Sequence, residues 1–191
     1  MKQAFFLFTV FFTFTLAANA QGVAVGSTLD NFSLVDTSGK VQTLNDVKGT
    51  KGTVLIFVSA QCPVVRGYNE RMNQIAIDYK AKGINVIGIN SNVTETPERI
   101  KAHAAETYKF PVLIDKRSVF ADKLSASVTP EAFYFDANNK LLYHGAIDND
   151  RAGTNITEAY LRVAFDSSLA GKKIERSSAN AFGCSIKRTA E

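Results

Sequence analysis

Residues 53–63 constrain the fold more than any other stretch of the chain. Thr53-Val54-Leu55-Ile56-Phe57-Val58-Ser59 is a near-continuous β-branched and apolar run, the pattern of a strand buried on both faces. Ala60-Gln61-Cys62-Pro63 follows, and proline suits the first position of a helix. Cys62 therefore sits where a buried strand ends and a helix begins. A thiol there meets unpaired backbone N–H groups and the positive end of the helix dipole. Both favour the thiolate, which is the reactive form of cysteine.

Strand and helix patterns alternate along the rest of the chain. Asn31–Val35 and Val41–Leu44 are short alternating segments flanking Asp36-Thr37-Ser38-Gly39, which predicts an N-terminal β-hairpin. From Pro63 to about Lys82, Val64, Val65, Tyr68, Met72, Ile75, Ile77 and Tyr79 fall mostly at helical spacing, and Gly83 supplies a stop. Ile84–Asn90 reads as a second strand. Thr96-Pro97-Glu98 opens another helix, with Thr96 as N-cap. Pro111–Asp115 predicts a short strand and Val119–Leu124 a short helix. Ala132–Asp136 and Leu141–His144 make a hairpin around Asn138-Asn139. A last helix over Thr157–Leu169 takes its apolar period from Ile156, Tyr160, Val163, Ala164 and Leu169. The order predicts an α/β three-layer sandwich, a mixed central sheet with a parallel core and antiparallel strands added by the hairpins.

The two ends read differently. Met1-Lys2 starts positive, Ala4–Leu16 is apolar apart from threonines, and Ala18-Asn19-Ala20 has the form of a cleavage site. Residues 1–20 thus read as an export signal with the mature chain beginning at Gln21, since the apolar run is shorter than the roughly 20 residues of a membrane helix. The signal implies a periplasmic or secreted protein without membrane insertion after cleavage. Residues 21–171 then hold one domain with one sizeable core. A tail over 172–191 is polar except for Ala181-Phe182-Gly183-Cys184-Ser185-Ile186. The chain has 22 basic and 18 acidic residues, scattered without a basic stripe interleaved with aromatics, which argues against nucleic-acid binding.

Cys62 and Cys184 are the two cysteines of the chain. Export places them where disulfides persist. They read either as one structural staple or as a reactive pair, and the surroundings of Cys62 favour chemistry. His103 and His144 lie on separate elements with no third ligand at a recognisable spacing, so no metal site is expected.

The strand, the Ser-Ala-Gln-Cys-Pro segment and helix, and Thr129-Pro130 before a hydrophobic strand resemble the thioredoxin fold. Phe32-x-Leu34-x-Asp36-x-x-Gly39-x-x-x-x-Leu44 resembles the N-terminal hairpin of the redoxin group, which includes alkyl hydroperoxide reductase and thiol-specific antioxidant proteins. Cys62-Pro63-Val64-Val65-Arg66, Thr129-Pro130-Glu131, Gly145-Ala146-Ile147-Asp148 and Gly183-Cys184-Ser185-Ile186-Lys187 are similar to segments of a peroxiredoxin-like branch of that family. The resemblance implies a thiol-dependent oxidoreductase without a cofactor. Its substrate is a disulfide or a peroxide, and a reductant protein or small thiol regenerates it.

On that resemblance Cys62 is the nucleophile and Cys184 the resolving thiol, approaching on a tail that Gly183 and Ser185 leave free to move. Ser59 and Arg66 are candidate hydrogen-bond partners of the sulfur, Pro63 starts the helix, and Pro130 is a cis-proline facing Cys62. Thr129 would then offer its backbone to an extended substrate. Ser59 stands where a thioredoxin has a second cysteine, Leu55 where a peroxiredoxin has proline, and Pro130 where it has arginine. Ser59 removes the Cys-x-x-Cys dithiol mechanism at that position, while the Thr129-Pro130 segment and the missing arginine favour disulfide exchange over peroxide reduction. Asp148 and Arg151 read as a surface turn, and His103 as an exposed helix residue.

Overall fold

The computed structural model describes residues 23–189. The export signal and the start at Gln21 lie outside them. The hairpin β1 (Ser33–Asp36) and β2 (Val41–Thr43) leads through a one-turn helix α1 (Leu44–Val47) to β3 (Gly52–Val58), α2 (Pro63–Lys80) and β4 (Ile84–Asn90). Then come α3 (Pro97–Thr107), β5 (Val112–Ile114), α4 (Val119–Leu124), β6 (Val128–Thr129), β7 (Glu131–Asp136) and β8 (Leu141–Gly145). The chain closes with α5 (Tyr160–Leu169), β9 (Ser178–Ala179) and β10 (Cys184–Ser185).

Eight strands form one mixed sheet in the order β2-β1-β5-β4-β3-β7-β8-β9. β3 is parallel to β4 and antiparallel to β7, and all seven of its residues are buried. Its alternation divides the core. Val54, Ile56 and Val58 face the layer of α2 and α5, while Leu55 and Phe57 face the layer of α1 and α4. These are the three layers expected, and they explain why the run from Thr53 to Ser59 carries no polar face.

Three local readings are corrected. Leu44 begins α1 instead of ending a strand, because Thr43 and Asp46 form a capping box there. Ile77 faces solvent, and Ala76 takes the buried place between Met72 and Tyr79. The last helix starts at Tyr160 and buries Leu161, Ala164 and Phe165, with Ile156 and Val163 exposed. Its phase follows the i, i+3, i+4 set that meets the sheet. The tail packs on the domain in this structure. β9 pairs with β8, β10 pairs with β6, and Ile186 is buried. Gly145 has φ +131°, and a Cβ there would collide with the backbone of Ala179, so the tail lies directly on the sheet edge.

Candidate active site

β3 ends one residue before Ser59, and Cys62 is the N-cap residue of α2 with Pro63 in its first turn. Burial of β3 on both faces fixes the height at which the chain leaves the sheet. The proline then fixes the direction in which the helix departs. Cys62 is buried and joined by a disulfide to Cys184, 122 residues further on. Its sulfur makes no capping hydrogen bond and lies 3.3 Å from the Thr129 carbonyl oxygen.

The loop before Cys62 is organised by a residue the motif reading did not single out. Glu95 is 6% exposed and binds the Ser59 hydroxyl through Oε1. Its Oε2 accepts from the Ala60 N–H at 2.9 Å and from Asn90 Nδ2 at 2.8 Å. The Gln61 N–H reaches Ser59 Oγ at 3.1 Å and Glu95 Oε1 at 3.4 Å. A buried carboxylate needs such donors, and here the donors are the strand-to-helix turn itself. The expected Ser59–sulfur hydrogen bond is therefore not formed, because that hydroxyl is engaged by Glu95. Arg66 is exposed, and among the described residues it makes no hydrogen bond to either sulfur.

The opposite wall is the segment before β7. Thr129–Pro130 is a cis peptide, as expected, and Thr129 is buried beside the disulfide. Glu131, 4% exposed, folds its carboxylate back to accept from the Ser127 N–H at 2.7 Å and the Val128 N–H at 3.2 Å. Its other oxygen meets His144 Nε2 at 2.6 Å, and the imidazole stacks on Phe133 with centroids 4.3 Å apart. His144 thus braces β6 through Glu131 and does not touch the sulfur pair.

Behind α2 the loop after β8 is clamped, not superficial. Asp148 is 3% exposed and accepts from Arg71 Nη1 at 2.7 Å and Tyr68 OH at 2.9 Å. Burial, then the Asp148 charge, pushes the Tyr68 phenol well above its usual range. The Arg71 guanidinium covers the Tyr68 ring at 3.6 Å, and Phe182 of the tail packs on the same tyrosine at 6.2 Å. Arg151 is exposed with its guanidinium 5.6 Å from Phe182. His103 is half-buried, not exposed as expected, with its ring edge-on to Tyr108.

Of the residues singled out in the sequence, Cys62, Pro63, Thr129, Pro130 and Cys184 are thus brought together. Ser59 belongs to the supporting loop, and Arg66 stands apart. Glu95 carried no separable signal, because a single acidic residue outside a motif looks like surface until its burial is known, and Glu131 entered only as the last residue of the Thr129-Pro130-Glu131 segment, without a role. Among the described residues no cluster of histidine, cysteine and carboxylate could hold a metal ion.

A cysteine at the N-cap of the β3–α2 crossover, a cis-proline facing it and a second cysteine on its sulfur define a thiol protein of the thioredoxin fold. The model of the AhpC/TSA family matches residues 25–144, and the chain belongs to that family. It is 30% identical over 127 residues to the thiol-disulfide oxidoreductase ResA of a Bacillus cereus strain, covering 65% of this chain and 71% of that one. Among solved structures it superposes on a hypothetical protein, SMc02350, from Sinorhizobium meliloti 1021 with a TM-score of 0.82. That pair is 34% identical over 90% of this chain and 98% of the other. With peroxidoxin BcpB of Mycobacterium tuberculosis the TM-score is 0.57 at 18% identity, covering 80% of this chain and 98% of that one, a likeness of fold.

Proposed function

We propose that the protein is an exported thiol–disulfide oxidoreductase in which Cys62 is the nucleophile and Cys184 the resolving thiol. The observation that carries this reading is the disulfide itself, which joins the helix-capping cysteine to a tail cysteine beside the cis-proline wall. That is the oxidised end of a two-cysteine cycle. In the reduced protein the Cys62 thiolate attacks a substrate disulfide. A Cys62–substrate bond forms, and the substrate's other sulfur leaves as a thiolate that takes a proton from solvent. The Cys184 thiolate then attacks Cys62 Sγ, closes the internal disulfide and expels the second substrate thiolate. Two electrons pass from the cysteine pair to the substrate, and an external thiol donor returns them.

Disulfide exchange is preferred to peroxide reduction. On the family resemblance Pro130 stands where a peroxiredoxin has arginine, and Arg66 is exposed and makes no hydrogen bond to the sulfur pair among the described residues. The similarity to ResA, named a thiol-disulfide oxidoreductase, points the same way. Export rests on the leader-like residues 1–20. No helix of the described residues is long and apolar enough to cross a membrane.

Reduction of insulin by the protein with a dithiol donor tests the reading. The reading expects activity that Cys62→Ser abolishes and an alkylation midpoint for Cys62 below the ~8.5 of a free thiol. Peroxide consumption that depends on Cys62, with no insulin reduction, would replace it with a peroxidase. A Cys62–Cys184 bond that survives dithiothreitol in the folded protein would leave a structural staple.

A further inference from the structure

The tail is bound to the active site as a polypeptide ligand would be. Cys184 and Ser185 pair antiparallel with Thr129 and Val128, and the Ile186 N–H donates to the Ser127 carbonyl at 2.9 Å. Among the described residues β6 has no other ladder partner, so without the tail its edge is open. The far side of the tail is held as well. The Lys187 N–H donates to Asn92 Oδ1 at 3.0 Å, and the Val93 N–H donates to the Lys187 carbonyl at 3.0 Å. Backbone contacts of this kind accept any extended chain, and side-chain pockets at alternate positions supply the selection.

Three positions select. Phe182, two residues before Cys184, lies against Tyr68 with Arg151 above it. Ile186, two residues after, is 5% exposed in the core layer beneath α4. Phe182 and Cys184 pack on the core layer of α2 and α5, and Ile186 on the layer of α4, so the segment is gripped from both sides of the sheet end. Gly183 is pressed on Thr129 so closely that a Cβ would collide with the carbonyl oxygen.

We infer that the segment from Phe182 to Lys187 is a built-in occupant of the substrate groove, and that it displays the substrate class. The groove takes extended polypeptide bearing a disulfide-bonded cysteine, with glycine immediately before it and apolar residues two positions to either side. The inference rests on the reading of Cys62 as the attacking thiol. Tail and substrate use one edge and one sulfur, so they exclude each other. Cys62 forms its mixed disulfide with the tail lifted off. The returning tail then breaks that bond, forms the Cys62–Cys184 bond and displaces the product as a thiol, in the atom and electron balance given above.

The test uses the full-length Cys184→Ser protein and two peptides, Ala-Phe-Gly-Cys-Ser-Ile-Lys and Ala-Phe-Val-Cys-Ser-Ile-Lys, each carrying nitrothiobenzoate on its cysteine. Attack of Cys62 on the peptide sulfur releases the coloured thiolate. The glycine peptide should react about tenfold faster or more, in the range set by one excluded side-chain contact. Adding Gly183→Val, which unseats the tail, should raise the glycine-peptide rate further. Equal rates for the two peptides, with Cys62 reacting normally with dithiobis-nitrobenzoate, would overturn the groove assignment and leave the oxidoreductase reading standing. No reaction even with dithiobis-nitrobenzoate would remove Cys62 as the nucleophile, and the groove inference with it.

Discussion

Glu95 accepts the Ser59 hydroxyl and the Ala60 and Gln61 N–H groups, and it ties all three to Asn90 at the end of β4. In Glu95→Gln one carboxylate oxygen becomes an NH2 group facing those donors. The expected cost is about 1–3 kcal/mol, which at this chain length lowers the melting midpoint by several degrees. The same change should slow alkylation of Cys62 in the reduced protein, because the turn that presents the sulfur loses its anchor. A variant as stable and as reactive as the parent would show that Glu95 does not organise the turn. His103 supplies a pH-dependent case. Burial, first of all, holds its imidazole below the ordinary value of 6.5, against the opposing pull of Glu95 and Glu106 and with help from Arg66 and Arg99. Between the lowered folded value and 6.5 the unfolded chain binds the extra proton, so stability falls as pH drops below about 6.5. Urea midpoints measured from about pH 7.5 downward should fall further in the parent than in His103→Gln.

At the scale of elements, α2 and α3 start as their sequences announce. Thr96 caps α3 by accepting from the Arg99 N–H at 3.3 Å, with Pro97 in the first turn. Thr96→Ala should cost about 1 kcal/mol, read as a shift of the denaturant midpoint without a change in slope. The tail behaves differently, since its two-residue strands have no intrinsic stability and hold only through the surfaces they cover. Hydrogen exchange should therefore find the Ile186 and Lys187 amides protected in the oxidised protein and faster on reduction, while the amides of β3 stay slow. Equal protection in both states would mean that the tail never leaves, and resolution by Cys184 would then need another route.

For the molecule as a whole, the Cys62–Cys184 bond closes a loop of 122 residues. In the chain-entropy account that contributes up to about 5 kcal/mol, comparable to the net stability of many domains. Cys184→Ser should move the denaturant midpoint down accordingly while leaving far-ultraviolet circular dichroism unchanged, because the two core layers on β3 do not depend on the bond. A shift of only a few tenths of a kcal/mol would show that the reduced denatured chain already holds the two ends together. Local readings at positions 53–90 and 96–124 needed only near neighbours in the chain. Period, caps and turn residues are properties of contiguous sequence, and so β3, α2, β4 and α4 were legible, together with the cysteine at the strand-to-helix junction. Period reveals which face is buried but not what lies against it. The phase of α5, the burial of Asp148 and Glu95 and the seating of Phe182 and Ile186 all depend on partners tens of residues away. Only the folded chain brings those partners together, because contacts between residues far apart in sequence are set by the order of strands in the sheet and not by any contiguous segment.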